Sequence, residues 1–307
     1  MRSHQWLFIV NPASNRGTAA QLIPHIQKAL SDRSITCDFR QTERPGDATL
    51  IARQYARDYE LIIAVGGDGT THEVVNGLLQ AKLGDGHGEA IGALGIVPVG
   101  SGNDFVKMIG IPSDPDAAAE ILLAGNTIRM DVGEIVVDND HIRFFNNNIG
   151  IGFDAYVNNE SLKIKYIRGF AMYLAAALKS IFAYKHPLIR YSNNGVFHEE
   201  RILLVNTGNG ACSGGGFYIT PDAKINDGVL DVCVIKSMNK FEILTNLPKT
   251  MNGSHVGMDC VHMYKTHELT IESEDGLPIH ADGEVVAMNA RHIYIKVLPA
   301  ALDVVVA

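Results

Sequence analysis

At 307 residues the chain exceeds the usual size of a single hydrophobic core, so two domains are the expectation. Hydrophobic residues make up 46% and charged residues 20%, an ordinary globular balance. A formal net charge of −8, from 26 basic and 34 acidic residues, argues against nucleic acid as a partner and against strong general attraction to anionic membranes. The four cysteines (Cys37, Cys212, Cys233 and Cys260) are widely spaced and form no CxxC pair. That favours a reducing, cytoplasmic compartment over a disulfide framework or a zinc site. No secretion signal is visible, because the apolar run at 6–10 is too short for one.

Taken in order, the first part alternates strand and helix. Strands are predicted at 5–10, 36–41, 61–65 and 93–98, and helices at 18–30, from Asp47 to 58, from Thr71 to 80, and at 114–124. Asp47 is the expected cap of its helix, and 84–88 a flexible stretch. Such alternation implies βαβ units and a parallel sheet, with ligands at the carboxyl ends of its strands. Beyond about residue 126 the pattern changes to strands at 128–137, 143–149, 188–191, 196–205, 230–235, 268–271 and 293–297. Helices interrupt them mainly at 165–184 and 240–251. The fold class is therefore an α/β domain with a parallel sheet (1–126) followed by an antiparallel, sandwich-like β domain (127–298). The stretch 166–184 contains Arg168 and Lys179, which suits a long helix packed on a sheet better than a membrane span. Its other reading is a face resting on a bilayer surface.

The most informative stretch is 61–77, LIIAVGGDGTTHEVVNG. An apolar strand breaks on Gly66 and Gly67, an acid (Asp68), Gly69 and Thr70, then turns helical. This arrangement aims backbone N–H groups and a helix N-terminus at an anion, with glycine allowing positive φ and close approach. A carboxylate there repels phosphate unless a divalent cation intervenes, so the turn reads as a nucleotide site with Mg²⁺. A plain β-to-α connection, with Thr70 and Glu73 as a capping box, fits the same residues. A second glycine-rich turn, Pro98-Val99-Gly100-Ser101-Gly102-Asn103-Asp104, again follows a buried strand and again holds an acid. The loop of Asn11, Pro12, Ala13, Ser14 and Asn15, opening a helix, suits phosphate oxygens more weakly. By itself Asp282-Gly283-Glu284 reads as a hairpin turn. His72, His198, His262, His267 and His292 show no metal-ligand spacing and read as surface or structural histidines.

GGDGT at 66–70 with Glu73 and Asn76, together with PVGSGND at 98–104, resembles the diacylglycerol kinase catalytic domain, most closely that of bacterial soluble lipid kinases. The likeness extends to NIGIGFDA at 148–155, PDAKINDGVLD at 221–231 and HADGE at 280–284, in family order across nearly the whole chain. The resemblance implies an α/β nucleotide domain and a β-sandwich, with residues 299–307 returning to the first domain. It implies ATP contacts at Asn11, Pro12, Ala13, Ser14, Asn15, Thr42, Gly67, Asp68, Gly69, Thr70, Glu73 and Ser101. Asp68 would act through Mg²⁺ on the triphosphate with Asp104 in support, and Glu284 would be the general base toward a lipid hydroxyl. Lys224, Asp227 and Val229 would hold a second, structural Mg²⁺. Two departures stand out: Ser14 is followed by Asn15-Arg16-Gly17 where the family continues Ser-Gly, and Ser101 replaces a threonine.

The implied activity is an ATP- and Mg²⁺-dependent lipid kinase converting diacylglycerol to phosphatidic acid, working peripherally at the inner face of the cell membrane. Lys163, Lys165 and Arg168 are candidates for the membrane contact, and a homodimer through an edge strand is compatible with such enzymes. The alternatives are an NAD kinase, a sphingoid-base or phosphatidylglycerol kinase, and a non-catalytic nucleotide-binding regulator.

Overall fold

The computed structural model describes residues 5–17, 19, 23–24, 26–27, 35–84, 90–100, 102–164, 166–167, 169–193 and 195–307. The chain forms two compact units, residues 1–130 with 300–307 and residues 131–299.

The first unit is built on parallel strands β1 (Gln5–Val10), β2 (Thr36–Gln41), β3 (Leu61–Gly66) and β4 (Ala93–Pro98), in the order β2-β1-β3-β4. Phe8, Val10, Ile63, Val65 and Val97 share one core with Leu122, while Leu7, Ile9, Ile62, Ala64 and Ile96 are buried with the opposite parity. Both faces are covered, which is why these strands read as continuous apolar runs. Helices α1 (Asp47–Tyr55), α2 (Asp68–Gly84), α3 (Asp104–Met108) and α4 (Pro115–Ala124) complete the alternation. Of the helix expected over 18–30, residues 19, 23, 24, 26 and 27 are helical and the others lie outside the described residues, as do 85–89.

Two helix starts differ from expectation. α2 begins at Asp68, three residues before Thr71, because the turn enters helical geometry immediately after Gly67. α1 has Gly46, not Asp47, in the capping position, at φ 91°. The Asp47 carboxylate instead closes the preceding turn, accepting from the amides of Glu43 (2.9 Å) and Arg44 (3.0 Å). Those bonds hold its carboxyl below the usual range.

The second unit is an antiparallel assembly. Its strands are β5 (Thr127–Val137), which starts in the first unit, β6 (His141–Phe145), β7 (Asn148–Gly152), β8 (Leu188–Asn193) and β9 (Val196–Gly208). After these come β10 (Leu230–Lys236), β11 (Val261–Thr266), β12 (Glu268–Ala281) and β13 (Glu284–Val305). Helices α5 (Phe153–Ser161), α6 (Gly169–Ala183) and α7 (Lys240–Thr250) accompany them. On β10, Leu230, Val232 and Val234 enter one core, with Ile149, Ile151, Ile279 and Ile293. Cys233 and Ile235 enter another, with Val157, Ala177 and Ile243 of the helices. Strand periodicity thus places the same segment in two apolar layers. All four cysteines are free. No helix among the described residues is long and apolar enough to cross a membrane.

Several expected boundaries move. The strand expected over 143–149 is two strands, interrupted at Asn146 and Asn147, whose amides leave the ladder for the Asp282 carboxylate. β12 and β13 run far beyond 268–271 and 293–297, and α5 and β11 were not expected. The last residues of β13 belong to the first unit, where Val304 pairs in parallel with Leu94 of β4.

Candidate active site

Four loops of the first unit sit at the carboxyl ends of neighbouring strands: the Asn11 loop after β1, Thr42 after β2, the Gly67 turn after β3 and the Gly100 turn after β4. Sheet order reverses direction around β1 and β3, which is where α/β sheets open a crevice. Asn11 ties the first and third loops together. Its amide donates to Val65 O (3.0 Å), its Nδ2 donates to Thr70 Oγ1 (3.2 Å), and its Oδ1 accepts from Ala13 N (3.1 Å). Pro12 and Ser14 are half-buried, Ala13 and Asn15 are exposed, and Asn15 has φ 46°. Thr42 is buried, its amide bonded to Val10 O at 2.9 Å.

Gly66 and Gly100, with Gly67 beside them, are required by space, not by left-handed backbone as the sequence suggested. Gly66, Gly67 and Gly69 all have negative φ. A Cβ on Gly66 would lie 2.3 Å from Thr70 Oγ1, and one on Gly100 would lie 2.6 Å from Gly67 Cα. The two turns therefore meet backbone against backbone. Asn103, at φ 50°, fastens the second turn by accepting from Gly100 N (3.1 Å) and donating to Gly100 O (3.0 Å). Ser101 lies outside the described residues.

Asp68 occupies the first position of α2, half-buried, with Oδ1 3.4 Å from Phe105 N. Asp104 opens α3 and is buried, its Oδ1 bonded to Lys107 Nζ at 2.8 Å. An accessible carboxylate at a helix start, where amides favour phosphate, is chemically suited to a Mg²⁺ shared with nucleotide phosphates and water. Among the described residues no three His, Cys, Asp or Glu side chains form an all-protein cage. Glu73 does not close a capping box with Thr70. Its two carboxylate oxygens accept from the amides of Gly46 (2.9 Å) and Ala48 (3.1 Å), capping α1 from α2.

In the second unit, Glu284 follows a two-residue turn, since Ala281 pairs with Glu284 across Asp282 (φ 49°) and Gly283 (φ 86°). The hairpin reading of Asp-Gly is thus correct locally. What the sequence did not reveal is how firmly the turn is held. Asp282 accepts from three successive amides, Asn146, Asn147 and Asn148, at 2.9–3.0 Å. Gly283 O accepts from Asn158 Nδ2 (2.7 Å), and Gly283 N donates to His280 Nδ1 (3.2 Å). His280 Nε2 lies 3.2 Å from Oδ2 of the fully buried Asp154. Burial pushes the Asp154 carboxyl up, but His280, Tyr173 and Asn206 outweigh it and hold the group below its ordinary range. Glu284 itself is exposed, and its carboxylate has no partner among the described residues.

The Lys224–Val229 loop is secured by protein groups. Asp131 Oδ2 accepts from Gly228 N at 2.7 Å, and Asp131 N donates to Ile225 O at 2.6 Å. Asp227 Oδ2 is 2.8 Å from Lys265 Nζ, which also reaches Asp231 at 3.2 Å. That ammonium takes one carboxylate oxygen of Asp227, while the other, Oδ1, faces Val229 N at 3.4 Å. A second Mg²⁺ on Lys224, Asp227 and Val229 is an expectation of the resemblance alone, and nothing below depends on one. Asp131 and Lys265 carried no sequence signal, because each acts on a loop distant in the chain.

Beneath α6 and α7 lies an apolar cavity of about 60 Å³, walled by Phe153, Val157, Tyr173, Leu203, Phe217 and Ile243. Asp154, Ser213 and His255 are its polar edges. Of the proposed membrane contacts, Lys163 is bonded to Glu160, while Lys165 and Arg168 lie outside the described residues.

Comparison with known proteins matches residues 5–135 to the diacylglycerol kinase catalytic domain and residues 147–306 to the YegS C-terminal NAD kinase beta sandwich-like domain. A diacylglycerol kinase of Mycobacterium tuberculosis (strain ATCC 25618 / H37Rv) is 30% identical over 301 residues, covering 96% of this chain and 93% of that protein. One of Staphylococcus haemolyticus (strain JCSC1435) is 30% identical over 279 residues, with 90% and 81% covered. The crystal structure of a diacylglycerol kinase from Bacillus anthracis str. Sterne superposes with a TM-score of 0.74 at 23% identity, covering 100% of this chain and 98% of that one. Yeast NADH kinase, complexed with NADH, shares the fold at a TM-score of 0.52 and 10% identity, covering 97% and 79%.

Proposed function

Because the chain belongs to the diacylglycerol kinase family of lipid kinases, phosphotransferases with an alcohol acceptor, we propose that it moves the γ-phosphoryl group of ATP to the free hydroxyl of diacylglycerol, giving phosphatidic acid and ADP. The observation that carries the nucleotide half is the meeting of the Gly67 and Gly100 turns beside the start of α2, with Asp68 as its first residue. Unpaired amides of a helix's first turn suit phosphate oxygens. Mg²⁺, when bound, would neutralise charge on the transferring phosphoryl group, and Asp68 would hold it. Asp104, paired with Lys107, would support Asp68 through the shared turn rather than meet the ion.

The acceptor half rests on Glu284. An alcohol is a weak nucleophile, and as its oxygen bonds to phosphorus its proton needs a placed acceptor. Glu284 offers an exposed carboxylate on a turn pinned at Asp282 and Gly283. The cavity beneath α6 and α7 would receive part of an acyl chain. Exposed Phe182 and Phe241, with Lys240 Nζ 5.3 Å from the Phe182 ring, would rest on the bilayer, as apolar side chains beside cations do at an interface.

The test is transfer of γ-labelled phosphate from ATP with Mg²⁺ into mixed micelles containing diacylglycerol, sphingosine or phosphatidylglycerol, with NAD in parallel. Label in phosphatidic acid is the expected result. Label in NAD alone would overturn the lipid reading, and label in another lipid would overturn the acceptor.

A further inference from the structure

A general base works only if its carboxylate is held where the proton will be, yet Glu284 has no partner of its own among the described residues. Its position must come from the turn that precedes it. Asp282 anchors one side of that turn, as described. On the other side, the Gly283 N–H points at His280 Nδ1 (3.2 Å), and His280 Nε2 points at Asp154 Oδ2 (3.2 Å). An imidazole that accepts at Nδ1 carries its proton on Nε2, so the ring donates to Asp154 while accepting from Gly283. Asp154 is in turn held by Tyr173 OH and by Asn206 Nδ2 at 3.1 Å. Space for the pair is reserved by Gly150, where a Cβ would fall 2.2 Å from His280 Nε2 and 2.4 Å from Asp154 Oδ2.

We propose that His280 is a positioning residue for Glu284. Its ring, oriented by buried Asp154, fixes the Gly283 amide and with it the direction in which the next residue leaves the turn. This rests on the reading of Glu284 as the base. It also gives buried Asp154 a task beyond packing, since a carboxylate on one side of an imidazole selects the tautomer that accepts on the other.

Two variants separate the halves of the chain of bonds. Glutamine at 280 (His280→Gln) places an amide nitrogen where Nε2 was and keeps the donor to Asp154, but leaves Gly283 N without an acceptor. Asparagine (His280→Asn) places its oxygen where Nδ1 was and keeps the acceptor for Gly283, but loses Asp154. With purified full-length enzyme in lipid micelles, His280→Gln should lower kcat about 10²-fold, the scale of a small misplacement of a reacting group, with KM for ATP and lipid unchanged. His280→Asn should recover most of that loss. Wild-type kcat in His280→Gln, or equal losses in both variants, would overturn the inference. Glu284→Gln is the control: if it retains turnover the base reading itself fails, whereas loss there with none in His280→Gln defeats only the role of His280. Should neither His280 variant fold, ring ¹⁵N NMR of the wild-type protein decides. Protonated Nε2 with bare Nδ1 is expected, and a proton on Nδ1 would overturn the proposal.

Discussion

Single residues carry the sharpest expectations. Replacing Glu284 with Gln keeps shape and removes basicity, so kcat should fall by about 10²–10⁴ while ATP binding persists. Asp68→Asn should abolish transfer at millimolar Mg²⁺ with the fold retained, read by circular dichroism beside the labelled-phosphate assay. Gly100→Ala puts a methyl group 2.6 Å from Gly67 Cα, so one turn must move away from the other. Overpacking of this kind costs about 1–3 kcal/mol, and a lower Tm with weakened ATP binding should be measured together. Asp154 has a signed pH signature. Its native carboxyl is held below the ordinary range, so its contribution to stability is complete above about pH 4 and is lost as pH falls through the native value. Asp154→Asn should therefore flatten the acid limb of a stability–pH curve measured by urea unfolding.

At the scale of elements, helices in this protein are capped by unlike means. α7 carries a complete capping box, Asn239 Oδ1 accepting from Glu242 N (2.9 Å) and Glu242 Oε2 from Asn239 N (2.8 Å). Asn239→Ala should destabilise the second unit by about 1 kcal/mol, visible in its thermal transition. α1 has no side-chain cap of its own and borrows Glu73 from α2. Closeness of the two helices makes this possible: a Cβ on Gly77 of α2 would lie 2.3 Å from Thr49 O of α1. Thr70 and Glu73 at capping-box spacing thus suggested a local bond, where the carboxylate serves a helix more than twenty residues earlier. Likewise the break between β6 and β7 was not legible, because the amides of Asn146 and Asn147 are satisfied by Asp282, far along the chain. Turn propensity has no access to such a partner.

For the whole molecule, the end of β13 is the test of how the first unit is completed. Lys82 Nζ donates to Ala301 O (2.6 Å), Val306 N to Asn126 O (2.9 Å) and Ala307 N to Ile109 O (3.1 Å). Leu302, Val304 and Val305 are almost fully buried. Removing residues 300–307 should cost roughly 1.5–3 kcal/mol for each of those three side chains, enough to unfold the first unit in calorimetry. Sequence by itself determined the βαβ alternation, the change to antiparallel strands, and both glycine turns with their acids. Those follow from periodicity and from residues with few alternative conformations, which are local properties. Tertiary structure alone decided that Gly67 and Gly100 meet, that Glu73 caps a neighbouring helix, that Lys265 faces Asp227, and that His280 joins Asp154 to the turn before Glu284. Each is a pairing between groups distant in sequence, and its direction is set by packing, which no single segment encodes.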